Sequence, residues 1–208
     1  VAGKTPTLKP LEKSYFDYVQ WHDSVLEDII SRHKQYWSET LGDHLTSVTL
    51  PASGKSSHQH LYHGNRLACT FSKKQTEAIK NKCKTLKITP FMFLLSVFEL
   101  LLYRYSGQKT IVIGTPIANR RKKEFEKIIG LFVNTLPIRI EFEEGMTFLQ
   151  LINQVKLSTT HAYAHQDIPF ETIVRELQPN RDISGSPLFN VMFVFQNVLQ
   201  IKVVVENL

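Results

Sequence analysis

The sequence predicts a mixed α/β domain, an α+β sandwich in which helices cover a sheet. Three observations predict it. Helix-start signals recur along the chain, at Ser72–Gln75, Thr89–Pro90 and Thr147–Gln150. Short apolar runs of strand character fall between the helical stretches, at 110–118, 132–142 and 188–195. The longest apolar run, PFMFLLSVFELLLYRY at 90–105, has no polar face and must be covered by the rest of the fold.

Residues 1–14 form a loose polar lead-in. Asp23 is the expected cap of a first helix ending at Leu41, along which Val25, Ile29, His33, Tyr36 and Trp37 keep helical spacing; Gly42 supplies the stop. Residues 43–65 are loop-like, with SGKSSHQH at 53–60, and RLACTF at 66–71 has the pattern of a short strand. Ser72 and Gln75 open a helix that turns Ile79, Cys83 and Leu86 inward. Thr89 and Pro90 then open the apolar helix, which Gly107 ends. TIVIGTPIA (110–118) and the run from Phe132 to Phe142 are buried strands, with Pro137 marking a bulge, an edge or an irregularity in the second. Thr147 and Gln150 open a helix from Phe148 to Ala164, Pro169 opens another, and Pro179 follows its end. LFNVMFVF (188–195) is an apolar strand and IKVVVEN (201–207) a candidate one.

Composition narrows the function classes. In 208 residues, 42% are hydrophobic, with 13 Phe and 7 Tyr, which is enough for a real core. The net charge of +6 permits an acidic partner. Its lysines gather at 73–87 and in the Arg120–Lys123 run, without the interleaved aromatics of a nucleic-acid platform. Cys69 and Cys83 belong to no metal-binding or redox spacing, so a reducing, cytoplasmic setting is expected. The apolar run at 90–105 is short for a membrane span and holds Glu99 and Arg104.

The stretch HAYAHQDIPFE (161–171) resembles a catalytic or metal centre, with His161 and His165 at i, i+4. The glutamate that activates water in HExxH is absent, and no third ligand is evident. A structural role, in which both imidazoles satisfy local hydrogen bonds, is the expectation, and no metal site is predicted. Asp167 is expected to cap the helix that Pro169 opens. His58, His60 and His63 sit in a Ser-rich loop and lack a partner carboxylate or thiol. The nucleophile elbow, the phosphate loop and the dinucleotide fingerprint are all missing. Taken alone, these residues describe an α/β domain with no visible active site.

Ordered blocks carry a resemblance. YFDYVQW (15–21), YWSETLG (36–42), RYSGQ (104–108), IGTPIANR (113–120), IGLFVNTLPIRI (129–140), HQDIPFE (165–171) and RDISGSPLFN (181–190) resemble, in that order, the condensation domains of nonribosomal peptide synthetases. The resemblance covers about residues 15–197 as a partial condensation domain, leaving 198–208 as a short tail. It implies a chloramphenicol acetyltransferase-like fold of two lobes around a tunnel, of which this chain is mainly the second, C-terminal lobe. It implies carrier-protein partners that present 4'-phosphopantetheine, no cofactor held by the chain itself, and no nucleic-acid or membrane partner. The implied reaction joins a carrier-bound acyl or peptidyl thioester to a carrier-bound aminoacyl amine.

The family's catalytic histidine lies in HHxxxDG, and this sequence has no His-His pair. The resemblance therefore implies no catalytic residue here and no activity without the missing N-terminal lobe. The alternative is a non-catalytic module that binds a carrier protein or a neighbouring synthetase domain. By the same resemblance, Arg120 pairs with the aspartate of HHxxxDG; the competing reading makes it part of the exposed basic run. Asn134, Thr135 and Gln166 would line the substrate tunnel, with a hydrogen-bonded strand position as the competing reading for the first two. Asp167, Pro169, Arg181 and Asp182 would be structural.

Overall fold

The structure is a computed structural model that describes residues 10–42, 47–51, 64–177 and 188–196. Among the described residues, five helices accompany a two-stranded sheet: α1 (Tyr15–Leu41), α2 (Lys73–Leu86), α3 (Pro90–Ser106), β1 (Thr110–Ile117), β2 (Asn134–Glu141), α4 (Phe148–Ala164) and α5 (Phe170–Leu177), with one 3-10 turn at Lys123–Phe125. The mixed fold predicted from periodicity is the observed one.

Local signals placed three helix starts correctly. Ser72 accepts from the Gln75 amide, Thr147 from the Gln150 amide and Thr89 from the Met92 amide. The first helix differs from expectation. It begins eight residues before Asp23, at a capping box in which Ser14 accepts from the Asp17 amide and the Asp17 carboxylate accepts from the Ser14 amide. Asp23 is a mid-helix residue, and Gly42 ends the helix at a positive φ of 65°.

β1 and β2 pair antiparallel, from Thr110 opposite Glu141 to Ile117 opposite Asn134. Side-chain alternation puts Ile111, Ile113, Leu136, Ile138 and Ile140 on one face, all buried. The Gly114 amide donates to Val191 O (3.0 Å), and the Phe193 amide donates to Gly114 O (2.9 Å). Gly114 therefore spends its backbone groups on the 188–196 segment, and Pro137, directly opposite, sits where no ladder bond to β1 is due. That is the physical reason a proline is tolerated inside β2.

The same glycine admits Phe189. A Cβ on Gly114 would lie 2.2 Å from that ring. Arg139, on the same face by alternation, donates to Thr40 O at the end of α1 (2.9 Å), so α1 is fastened across the sheet. α3 and α4 pack on one another and on the strands.

Three further expectations are corrected. RLACTF at 66–71 is exposed and joins no ladder among the described residues; Leu67 and Phe71 face solvent. LFNVMFVF makes a single parallel bridge, Gly114 to Met192, rather than a continuous strand, and Met192, Val194 and Phe195 remain exposed. α3 is not covered on all sides: Leu95, Ser96, Glu99 and Leu102 are buried, while Val97, Leu101 and Tyr105 form an outward stripe. The candidate strand at 201–207, Pro179, the histidines at 58, 60 and 63, and Arg181 and Asp182 lie outside the described residues. No single helix among the described residues is long and apolar enough to cross a membrane.

Candidate functional site

HQDIPFE and IGTPIANR meet at the end of the sheet, beneath α1. Asn119 takes a left-handed conformation (φ 50°) that asparagine tolerates better than most residues. This kink turns the chain out of β1 and directs Arg120 to Lys122 along α1.

Arg120 is not part of a solvated basic run. Its Nη1 donates to the carbonyls of Phe125 (3.1 Å), Glu126 (3.3 Å) and Ile128 (2.7 Å), and its guanidinium lies 4.0 Å from the Phe132 ring centroid. A cation with three carbonyl acceptors and an aromatic face is well compensated. Lys122 sits 3.8 Å over Trp21 in the same manner. Both rest on a second small core formed by Tyr15, Tyr18, Trp21, Phe125, Ile128 and Phe132. Here the YFDYVQW block has its reason: Tyr15, Tyr18 and Trp21 share one helix face and meet the 125–132 turn. Gly130 is the counterpart, since a Cβ there would lie 2.2 Å from the Tyr15 ring, and the Tyr15 hydroxyl donates to Leu131 O (2.9 Å).

Asn134 organises the HQDIPFE turn. Its Nδ2 donates to Gln166 O (3.0 Å) and Ile168 O (2.9 Å); its Oδ1 accepts from the Phe170 amide (3.0 Å) and the Thr135 amide (2.9 Å). All four hydrogen-bonding positions of this buried amide are filled by the protein itself. The amide thus takes the hydrogen-bonded strand position of the competing reading, and its donors and acceptor are spent within the protein. It also displaces Asp167 as the cap of α5, since the Phe170 amide binds Asn134 and not Asp167. Pro169 opens α5 as expected, its carbonyl accepting from the Thr172 and Ile173 amides.

Asp167 instead receives Arg121 Nη1 at 2.5 Å and lies 3.9 Å from His33 Nε2. His165 stacks on Tyr36 (centroids 3.9 Å apart, 8° between planes) and holds its Nδ1 2.9 Å from His33 Nδ1, while its carbonyl accepts from Trp37 Nε1 (3.1 Å). His165 therefore has the structural role expected of it; His161 is exposed on the last turn of α4. Among the described residues no three His, Cys, Asp or Glu side chains converge on a metal geometry.

The His33–His165 contact has a pH signature. One ring must donate and the other accept, so a doubly protonated pair cannot form it. Burial, reinforced by the His165 charge, holds His33 below the usual histidine value, and burial with the His161 charge does the same for His165. The unfolded chain thus takes up these protons at higher pH than the folded one. The pair's contribution is present above the ordinary histidine value of about 6.5 and is lost as pH falls through the depressed folded values. Glu99, a buried acid, shifts stability in the opposite sense over this range, so the pair is read by difference: in urea melts from pH 7.5 to 5, the stability of the parent minus that of the His33→Gln/His165→Gln double variant is expected to fall as pH falls.

Next to this junction lies an open groove of about 680 Å³. Phe91, Tyr163 and Phe195 supply an aromatic wall; Arg120, Arg121 and Gln166 supply a polar one. Gln166 anchors itself through Nε2 to Tyr163 O (2.6 Å). Of the expected tunnel residues, Gln166 lines this groove, beside Arg120. Thr135 is half-buried opposite Pro116 and is not among its lining residues. The aromatic wall was not foreseen, because each member reads as core in isolation.

The family model of the condensation domain matches residues 1–207. A linear gramicidin synthase protein of Brevibacillus parabrevis is 39% identical over 198 residues, which cover 95% of this chain and 3% of that protein. Bacitracin synthase 3 of Bacillus licheniformis is 35% identical over 202 residues, 97% of this chain and 3% of that protein. The chain thus spans a few hundredths of the length of these curated relatives. Among solved structures, the X-domain from teicoplanin biosynthesis superposes with a TM-score of 0.81 at 22% identity, over 92% of this chain and 44% of that one. A four-domain nonribosomal peptide synthetase bound to AMP and glycine gives 0.70 at 29% identity, over 79% and 13%. Sequence and fold agree that the chain belongs to the condensation-domain family of nonribosomal peptide synthetases.

Proposed function

We propose that this chain forms the C-terminal-lobe wall of a condensation site that joins a carrier-bound acyl or peptidyl thioester to a carrier-bound aminoacyl amine. The observation that carries this reading is the groove beside the HQDIPFE turn, with its aromatic and polar walls. Such a groove suits a flexible arm of alternating methylenes and amides. The phosphopantetheine of a partner carrier protein is such an arm: Phe91, Tyr163 and Phe195 would flank its methylenes, and Gln166 and Arg121 would face its amides. Arg120, held by three carbonyls at its Nη1, is the residue proposed to meet the aspartate of an HHxxxDG segment.

This chain's contribution is positional. Two tethered reactants held in one groove react as if at high local concentration, which is worth several orders of magnitude in rate. No His-His pair occurs in the 208 residues, so the reading assigns proton transfer to polypeptide outside them.

The test combines this chain with a separately produced lobe carrying HHxxxDG and with acyl- and aminoacyl-loaded carrier proteins. Amide is expected only when both lobes are present. Carrier binding without amide would favour the alternative of a non-catalytic binding module, and amide made by this chain alone would overturn the proposed division of labour.

A further inference from the structure

We propose that α2 is an electrostatic docking ridge for an acidic surface of a partner protein. The helix and its cap carry Lys73, Lys74, Lys80, Lys82, Lys84 and Lys87 against the single Glu77, a local excess of five positive charges in a chain whose net charge is +6. These lysines form no ion pair among the described residues. α2 lies at the periphery, with α3 as its principal packing partner, Cys83 its one buried residue, and all six lysines exposed.

Two placements of charge work against the helix's own stability. Lys73 and Lys74 occupy the first turn, where the helix dipole disfavours cations, whereas α1 and α5 place Asp17 and Glu171 there. Lys80 and Lys84 stand at i, i+4, a repulsive spacing for like charges. Lys73, Lys80 and Lys84 fall on one flank of the helix by their spacing of seven and four, a flank that also carries Glu77 and keeps a net positive charge of two. Lys84 in the last turn suits the dipole and Glu77 stands at favourable spacings from Lys73 and Lys80, so the conflicts are confined to the first turn and the Lys80–Lys84 pair; an anionic partner relieves both at once.

The chemistry of the ridge selects among anionic partners. It has no arginine for bidentate phosphate binding and no aromatic residue on which a base stacks. Its apolar face, Ile79, Cys83 and Leu86, is turned to the fold rather than free to enter a bilayer. Carboxylates on a protein surface fit an array of flexible ammonium groups that need no fixed geometry.

Poly-L-glutamate serves as the probe of an acidic protein surface, with duplex DNA and phosphatidylglycerol vesicles as competitors, at low salt. The Lys73→Glu/Lys80→Glu/Lys84→Glu variant is expected to lose poly-L-glutamate affinity by at least about tenfold. Lys13→Glu/Lys123→Glu/Lys127→Glu, which makes the same charge change on exposed residues elsewhere, is expected to lose less than about threefold. The corresponding triple glutamine variant of α2, which preserves helix propensity, is expected to fall between parent and charge reversal, with unchanged circular dichroism. Equal losses in the two charge-reversed proteins would reduce the effect to net charge and overturn the proposal. So would DNA or vesicles displacing poly-L-glutamate from the parent but not competing with the α2 variant.

Discussion

Replacing Asn134 with alanine is expected to destabilise the chain by about 4 kcal/mol, because several buried backbone groups lose their partner together. Truncation strands the Phe170 amide and the carbonyls of Gln166 and Ile168, all of which now bind the Asn134 side chain. Ile168 and Asn134 are buried, so water does not simply replace the lost partners. Asn134→Asp separates the roles of the two ends of the amide. The carboxylate still accepts from the Phe170 amide, but it sets negative charge against two carbonyl oxygens that need donors. Aspartate is therefore expected to be no better tolerated than alanine, although it is nearly isosteric with asparagine. Urea denaturation followed by tryptophan fluorescence reads both, because Trp37 donates to His165 O in the same turn. Losses below about 1 kcal/mol would mean that the HQDIPFE turn holds its shape without β2. The groove predicts a functional consequence too, since Gln166 takes its place in the groove wall from this clamp.

The contrast between Asn134 and the helix caps shows what the sequence makes legible. A cap bond spans three residues, so Ser72–Gln75 and Thr147–Gln150 announce their helices locally. The four partners of Asn134 include three that lie 32 to 36 residues away, and no local pattern announces them. Ser14–Asp17 is also a local box, yet the acidic and amide residues interrupting Tyr15, Tyr18 and Trp21 hide the apolar face behind it. That face becomes apparent only against Phe125 and Phe132, more than a hundred residues on. RLACTF fails for a related reason: a strand is defined by its neighbours, and alternation within six residues cannot supply them. Several of the ordered blocks record one side of such a contact. Tyr15 needs Gly130, Arg120 needs the 125–128 carbonyls, and His165 needs Tyr36 and His33.

Glu99 presents the opposite case, a residue whose removal is expected to strengthen the fold. It lies in α3 between Leu95 and Leu102, its side chain is completely buried, and neither carboxyl oxygen has a hydrogen-bond partner among the described residues. Burial alone pushes its pKa well above the usual carboxylate range, so the folded chain favours the neutral acid over the carboxylate. The unfolded chain releases that proton near its ordinary value, at about 4.3. Between the two values the unfolded state binds fewer protons, and stability declines as pH rises through that interval until the folded-state value is passed. Glu99→Leu removes both the ionisation and the unpartnered polar atoms and is expected to stabilise the chain by about 3 kcal/mol at pH 8. Glu99→Gln keeps the shape and the unpartnered polar atoms but cannot ionise, so it should flatten the pH dependence while gaining less. Denaturation midpoints of the three proteins from pH 5 to 9 separate these effects. A carboxyl carbon resonance of Glu99 that titrates at the ordinary carboxylate value in the folded chain would show the side chain to be solvated, and the leucine variant would then be neutral or harmful.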